Sequence, residues 1–227
     1  IIVIIGGFTI VFAASMALVM TDIKRVLAYS TISQLGYMFV ALGFGAIGPA
    51  IFHLFNHAFF KALLFLGAGS LNHGTGTFEM KNMISVRRSM PWTHLFFLIG
   101  SISLAGLPPF SGFWSKDEII SSAIYSESAV ALPVSLLLLL GAFMTSLYIF
   151  RAYLLTFTDK NHLMLEEIDG TKKEKLTAQH ESPLSMIAPM AILTLLAVFS
   201  WVVNSPWSYT LPDLLESLGA VHESIHL

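Results

Sequence analysis

Between Pro49 and Ser70 the chain carries a single charged residue, Lys61. A run of about 20 predominantly apolar residues is enough to cross a bilayer as a helix. A charge near the middle of a membrane costs roughly 3 kcal/mol or more, so a lysine kept there is expected to have a function. Two histidines precede it at steps of four, His53 and His57. Four residues is close to one helical turn, so the three side chains share a helix face at intervals of about 6 Å. Ammonium and imidazole groups both exchange protons when their surroundings are tuned to it. The pattern therefore predicts a proton relay inside a membrane helix.

Composition supports the membrane. Only 11% of the 227 residues are charged and 55% are hydrophobic, whereas a soluble domain is about one quarter charged. The charges are clustered and leave long apolar runs between them, as in an all-α polytopic membrane protein. A net charge of −2 argues against nucleic acid as a partner. The chain has no cysteine, so it forms no disulfide, holds no Cys-ligated iron–sulfur cluster and does no thiol chemistry. Ile1 lies inside an apolar run without a basic n-region or a cleavage site, which reads as an internal piece of a longer chain and not as a signal peptide.

About six spans are expected, at 1–20, 26–44, 49–70, 92–126, 132–157 and 184–203. The fourth is interrupted by Gly106, Pro108, Pro109 and Gly112. Each arm alone is short for a hydrocarbon core of about 30 Å, and Gly and Pro do not continue an ordinary helix. One broken span is expected here, and broken helices are where transporters place their sites. The organisation read from this is a five-helix repeat over 1–157, a loop over 158–182, a following span over 183–204 and an interfacial amphipathic tail over 205–227.

Loop charges agree with counting the broken span once. The a–b, c–d and e–f loops then fall on one side. They hold nine of the twelve basic residues: Lys24, Arg25, Lys81, Arg87, Arg88, Lys160, Lys172, Lys173 and Lys175. Arg151 ends the fifth span on that side, and the opposite loops carry no Lys or Arg. The positive-inside rule makes the basic side cytoplasm, or matrix in a mitochondrion. Only Lys61 and Lys116 remain within the membrane.

The third span enters from the other side at Pro49, which puts Lys61 about 18 Å deep, with His57 and His53 stepping back outward. A snorkelling lysine with two hydrogen-bonded core histidines is the plainer alternative, and a His–His metal site is another. No carboxylate or cysteine lies on that helix to complete such a site. Lys116 and Asp117 follow the break. The positive end of a half-helix dipole favours Asp117 and Glu118 and works against the charge on Lys116. Lys116 is a candidate last carrier before exit. Ordinary capping, with Ser115 as N-cap and the two acids in the first turn, is compatible with that role. Asp22, Lys24 and Arg25 read as a helix cap plus topology charges, and Tyr29, Ser30, Thr31, Ser33 and Gln34 as polar groups that line a path or bond to neighbouring helices.

Three stretches carry a family resemblance: TDIKRVLAYSTISQLGYM (Thr21 to Met38), HLFNHAFFKALLFLGAGS (His53 to Ser70) and AGLPPFSGFWSKDEI (Ala105 to Ile119). With HESP (His180 to Pro183) they resemble the antiporter-like subunit L, or chain 5, family of proton-pumping NADH-quinone oxidoreductase, respiratory complex I. The resemblance runs to about Val203, and His53 favours subunit L over its M and N paralogues and over cation/proton antiporter subunits. It implies one repeat of an inverted-repeat transporter scaffold, here the second, forming the outward half-channel. It implies that Lys61 is the central lysine and Lys116 the exit lysine, with His57 and His53 between and Asp117 beside the exit. Partners would be other membrane subunits of complex I, the lipid bilayer and protons. NADH, FMN, iron–sulfur clusters and quinone would sit on other subunits, with no cofactor or metal on this chain. The first repeat and the far C-terminal spans would be missing. The rivals are a subunit of a multisubunit Na⁺/H⁺ antiporter, the membrane partner of an inorganic-carbon uptake complex, and a structural anchor. A sodium site wants several hard oxygen ligands, and the third span offers only Asn56.

Overall fold

The computed structural model describes residues 1–83, 86–158 and 180–204. They form α1 (Ile2–Val19), α2 (Ile23–Gly43), α3 (Ile47–Thr75), a one-turn α4 (Val86–Ser89), α5 (Pro91–Ala105), α6 (Ser111–Ile124), α7 (Ala131–Phe157) and α8 (Leu184–Phe199), with 3-10 turns at Met80–Asn82 and Ser200–Asn204. Five helices are long and apolar enough to cross a membrane: α1, α2, α3, α7, and α8 with the turn that follows it. The expected amphipathic tail at 205–227 and the body of the basic loop at 159–179 lie outside the described residues.

Large apolar side chains cover the outside of the bundle, and polar ones are buried within it among further apolar groups. Leu136, Phe143 and Leu147 of α7 and Ile192, Leu195 and Phe199 of α8 are exposed, while Ser30, Gln34, His53, Asn56, Lys61 and Lys116 are buried. Lipid tails are as apolar as leucine, so the hydrophobic effect does not drive such helices together; close packing and interhelical hydrogen bonds do. At the α1–α2 crossing, an added Cβ on Gly6 would lie 2.9 Å from the Gly36 carbonyl oxygen, and one on Gly36 would lie 2.9 Å from that of Gly6. The two backbones touch because neither position has a side chain.

The basic loops meet at one end. Ile23 N–H donates to Phe78 O, Met80 N–H donates to Thr21 O, and Arg151 Nη1 donates to Met20 O. Asp22 caps α2 by accepting from Arg25 N–H at 2.9 Å, as its position before the helix predicts.

The fourth span is broken as expected. α5 and α6 have 15 and 14 residues, about 22 Å each at the helical rise. The start of α5 sits at the basic end, where His94 contacts Tyr153 and Phe157 of α7. Near the end of α6, Ile119 and Ala123 pack with Val3, Val40, Ala41, Ala50 and Val134 at the opposite end. The two arms therefore make one crossing together. α5 stops at Gly106, whose φ of +81° is the left-handed conformation that glycine tolerates, and Pro108 and Pro109 carry the chain to the second arm.

One expectation is corrected here. Ser115 does not cap α6. The helix begins at Ser111 with Phe110 as the N-cap residue, and its first turn holds no acid. Asp117 and Glu118 fall in the second turn. Ser111 is not free to act as a cap either, because its hydroxyl donates to Ala197 O at 2.7 Å in the last turn of α8, where carbonyls run out of helical donors.

A second clamp holds the other arm. The Glu181 carboxylate accepts from Trp92 N–H at 2.8 Å and from the Thr93 hydroxyl at 2.6 Å, capping the exposed N–H groups of α5 from the segment before α8. Thr93, Ser70 and Ser182 hydroxyls join beneath it at 2.6 Å spacings. A carboxylate at a helix N-terminus stabilises both through hydrogen bonds and through the dipole. Glu181→Ala is expected to destabilise the bundle by about 2 kcal/mol, seen as a lower thermal midpoint in detergent, with Glu181→Gln losing less.

Candidate functional site

Lys61 lies in the middle of α3 and is only 5% exposed. Its Nζ donates to Leu27 O at 3.2 Å and to Ser30 Oγ, both on α2. A buried ammonium has to be matched by acceptors, and α2 supplies them from one helical turn.

One step further along α3 from His57, His53 is fully buried and uses both ring nitrogens. Nδ1 lies 2.9 Å from Ser115 Oγ on α6, and Nε2 lies 3.1 Å from Gln34 Oε1 on α2. Gln34 Nε2 in turn donates to Thr145 Oγ1 at 3.4 Å, and the Thr145 hydroxyl donates to Gly141 O. With the glutamine oxygen turned toward His53, the matching tautomer carries its proton on Nε2 and leaves Nδ1 to Ser115.

Ser115 has two possible partners for its hydroxyl. Its oxygen is 2.9 Å from Nδ1 and 3.3 Å from the Ser111 carbonyl. When His53 is neutral, the Ser115 hydroxyl donates to Nδ1. When His53 is protonated, Nδ1–H donates to Ser115 Oγ and the hydroxyl turns to Ser111 O. One bond rotation serves both protonation states.

Lys116 follows Ser115 and is 3% exposed. Its Nζ donates to Leu104 O at 2.6 Å, across the break, and sits 5.8 Å from the centre of the Tyr37 ring. The residue four positions after Leu104 is Pro108, which has no N–H to give. The break frees a carbonyl and the ammonium of the second arm occupies it. Tyr37 is held in place by donating to Leu138 O at 2.6 Å.

The sequence-predicted residues are not all brought together. Lys61, His53 and Lys116 face the buried polar interior between α2, α3 and α6. His57 is buried beside them, 6.1 Å ring to ring from His53 and edge-on to Phe60, but its Nε2 has no hydrogen-bond partner among the described residues. The hydrogen bonds therefore do not run Lys61–His57–His53. Asp117 is exposed and does not join the cluster; a helical step of 100° turns it away from the face that Lys116 uses. Among the described residues no Asp or Glu is buried. Sequence reasoning also missed Thr145, Tyr148 and Ser200, the last of which donates to Asn56 Oδ1 at 2.6 Å. Each is one polar residue inside an apolar run, with no local signal beyond that.

A helical bundle with an apolar exterior, a broken helix and buried lysine and histidine side chains in its interior is the architecture of a polytopic membrane protein. Residues 1–145 match the model of the family described as NADH:quinone oxidoreductase/Mrp antiporter, TM. The chain belongs to this family and is an integral membrane protein. It is 40% identical over 224 residues to the NADH-quinone oxidoreductase subunit L of Rickettsia bellii, a match covering 99% of this chain and 32% of that one. To the subunit L of Campylobacter jejuni it is 45% identical over 193 residues, covering 84% and 31%. The chain thus spans about a third of the length of the curated relatives it matches. In fold it is similar to a solved archaeal respiratory membrane complex, the membrane-bound sulfane sulfur reductase, with TM-score 0.77 and 24% identity over 96% of this chain and 42% of that one.

Proposed function

We propose that this chain is part of a proton-translocating membrane subunit of an NADH:quinone oxidoreductase of the complex I type, and that it forms the half-channel toward the outer side. The observation that carries this is the pairing of buried basic groups with acceptors that allow a change of protonation: Lys61 on Ser30, His53 on Ser115, and Lys116 on the carbonyl freed by the helix break. In this mechanism Lys61 holds the proton at mid-membrane, His53 passes it by way of Ser115, and Lys116 delivers it to the exit. His57 stands beside the file. Asp117 belongs to the surface near the exit, where a neighbouring subunit or water meets it. The basic loops lie on the cytoplasmic or matrix side, in a bacterial or archaeal cell membrane or a mitochondrial inner membrane. NADH, FMN, iron–sulfur clusters and quinone are assigned to other subunits, in keeping with a chain that has no cysteine to ligate a cluster.

The second reading is a subunit of a Na⁺/H⁺ antiporter on the same scaffold. Broken-helix carbonyls are natural sodium ligands, but here Lys116 already occupies the Leu104 carbonyl, and no buried carboxylate among the described residues is available to a cation. Inorganic-carbon uptake by an attached partner is a third, for which no described residue supplies a distinguishing observation. The test is Lys116→Met in the assembled membrane complex, in sealed vesicles driven by electron transfer. Electron transfer is expected to continue while this subunit's share of proton translocation is lost, with sodium uptake at background in both forms. Normal pumping by the variant would remove Lys116 from the path, and electron-driven sodium uptake would favour the antiporter.

A further inference from the structure

Three cations near the α1–α2 junction, at the basic end of the bundle, are held in different ways. Arg151 donates to Met20 O at 2.8 Å. The Lys24 ammonium lies 5.2 Å from the centre of the Phe78 ring. Arg25 is exposed and bonds through its backbone N–H alone, to Asp22. Among the described residues its guanidinium has no acceptor. That group is a planar fork of donors suited to a carboxylate or a phosphate.

Beside it runs a groove of about 370 Å³, lined by Met20, Arg25, Ala28, Tyr29 and Ile32. On α2, Arg25, Ala28, Tyr29, Ile32 and Leu35 recur at steps of three and four, so they share about a third of the helix circumference. Ile32 and Leu35 are exposed. The stripe changes character along its length. Arg25 and Tyr29 lie where α2 leaves the basic end. Ile32 is about 10 Å further along the axis and Leu35 about 15 Å, which is half of a hydrocarbon core of about 30 Å. The groove therefore offers donors at headgroup level and an apolar track one leaflet deep.

This pattern decides between occupants. A helix packed on the track would have to bring its own acceptor to Arg25. A zwitterionic lipid brings a phosphate, but with a cation attached that Arg25 repels. An anionic phospholipid supplies the phosphate without that cation and covers the track with an acyl chain. Basic pockets between membrane helices on the cytoplasmic or matrix side are suited to such headgroups.

We infer that the groove at the α1–α2 junction is a binding site for an anionic phospholipid, with its phosphate on Arg25 beside Tyr29 and an acyl chain along Ile32 and Leu35. The site is separate from the proton path and rests only on the chain's place in a membrane.

The test is photolabelling of the assembled complex in phosphatidylcholine vesicles. These carry a trace of either phosphatidylglycerol or phosphatidylcholine with the same photoreactive acyl chain. Labelling of residues 26–39 is read by peptide mass spectrometry, and assembly is checked on native gels. The glycerol lipid is expected to label this segment about five-fold more than the choline lipid, the factor that one basic residue gives at an anionic surface. Arg25→Gln is expected to abolish the preference. It keeps the backbone N–H that Asp22 accepts, so α2 stays capped. Lys24→Gln removes the same charge one residue away, outside the groove lining, and is expected to keep the preference. Ala28→Trp fills the groove at constant charge and is expected to lower labelling by the glycerol lipid. Equal labelling of the native complex by both lipids would overturn the inference, as would equal losses in Arg25→Gln and Lys24→Gln. Absence of label from either lipid would also overturn it, because a protein segment then covers the groove.

Discussion

Gly112→Ala is expected to prevent the subunit from folding into its complex. A Cβ built at Gly112 would sit 1.8 Å from the Ser103 carbonyl oxygen and 2.9 Å from its carbon. Both are backbone atoms of the other arm of the broken span, so no rotamer change relieves the contact. The arms are pinned by Ser103 and Ser111, whose hydroxyls lie 3.1 Å apart and both donate to Ala197 O. Separating the arms would break these bonds and shift Lys116 from Leu104 O. Forcing extra volume into a packed site commonly costs about 1–3 kcal/mol, and more where backbone has to move. Gly69→Ala is the matched control. Its added Cβ meets nothing within 4 Å, and alanine is favoured over glycine in a helix by about 1 kcal/mol. Blue-native gels of membranes should show assembled complex for Gly69→Ala and a subcomplex for Gly112→Ala. Equal assembly of both would mean that the arms are not held as close as described.

Lys61→Met is expected to do the reverse, sparing the structure and abolishing function. Methionine fills nearly the same space without a charge. Leu27 O keeps the Thr31 hydroxyl at 3.0 Å as a donor, and Ser30 keeps a hydroxyl that turns freely to its other neighbours. Replacing a buried ion by an apolar side chain of similar volume is often neutral or stabilising. An unchanged or raised thermal midpoint is therefore predicted. A lysine that served only as an anchor would give the same midpoint and leave transport unaffected, so stability alone does not separate the roles. The stability result does show that any loss of transport comes from the missing ammonium and not from a damaged bundle.

The elements of this site differ in how openly the sequence declares them. Lys61 announces itself because a lone charge in an apolar run has few innocent explanations, and the two histidines share its face by arithmetic. The break is equally plain, since Gly106, Pro108 and Pro109 cannot continue a helix. The start of the second arm is not. SKDE after an apolar residue has the look of a cap followed by first-turn acids, but the chain already turns helical at Ser111. Its N-cap is Phe110, in extended conformation with no side-chain cap, which leaves no local signature. Asp117 is exposed on α6, one helical step of 100° away from the face that Lys116 uses, a separation that adjacency in sequence does not announce. The polar residues on α2 were legible as a group, though not their partners. Gln34 reaches Thr145 and Glu181 reaches Thr93 across 111 and 88 residues, separations at which only the packing of helices, not the pattern within any one of them, decides who meets whom.

The most direct measurement is the number of protons translocated per electron by the assembled complex carrying Lys61→Met, in sealed vesicles, with assembly and electron transfer measured on the same preparation. If Lys61 is the central proton site, the ratio falls by the full contribution of this subunit while the complex remains assembled and continues to pass electrons. A native ratio in a fully assembled, electron-transferring complex would contradict that role and leave the buried lysine as a structural feature.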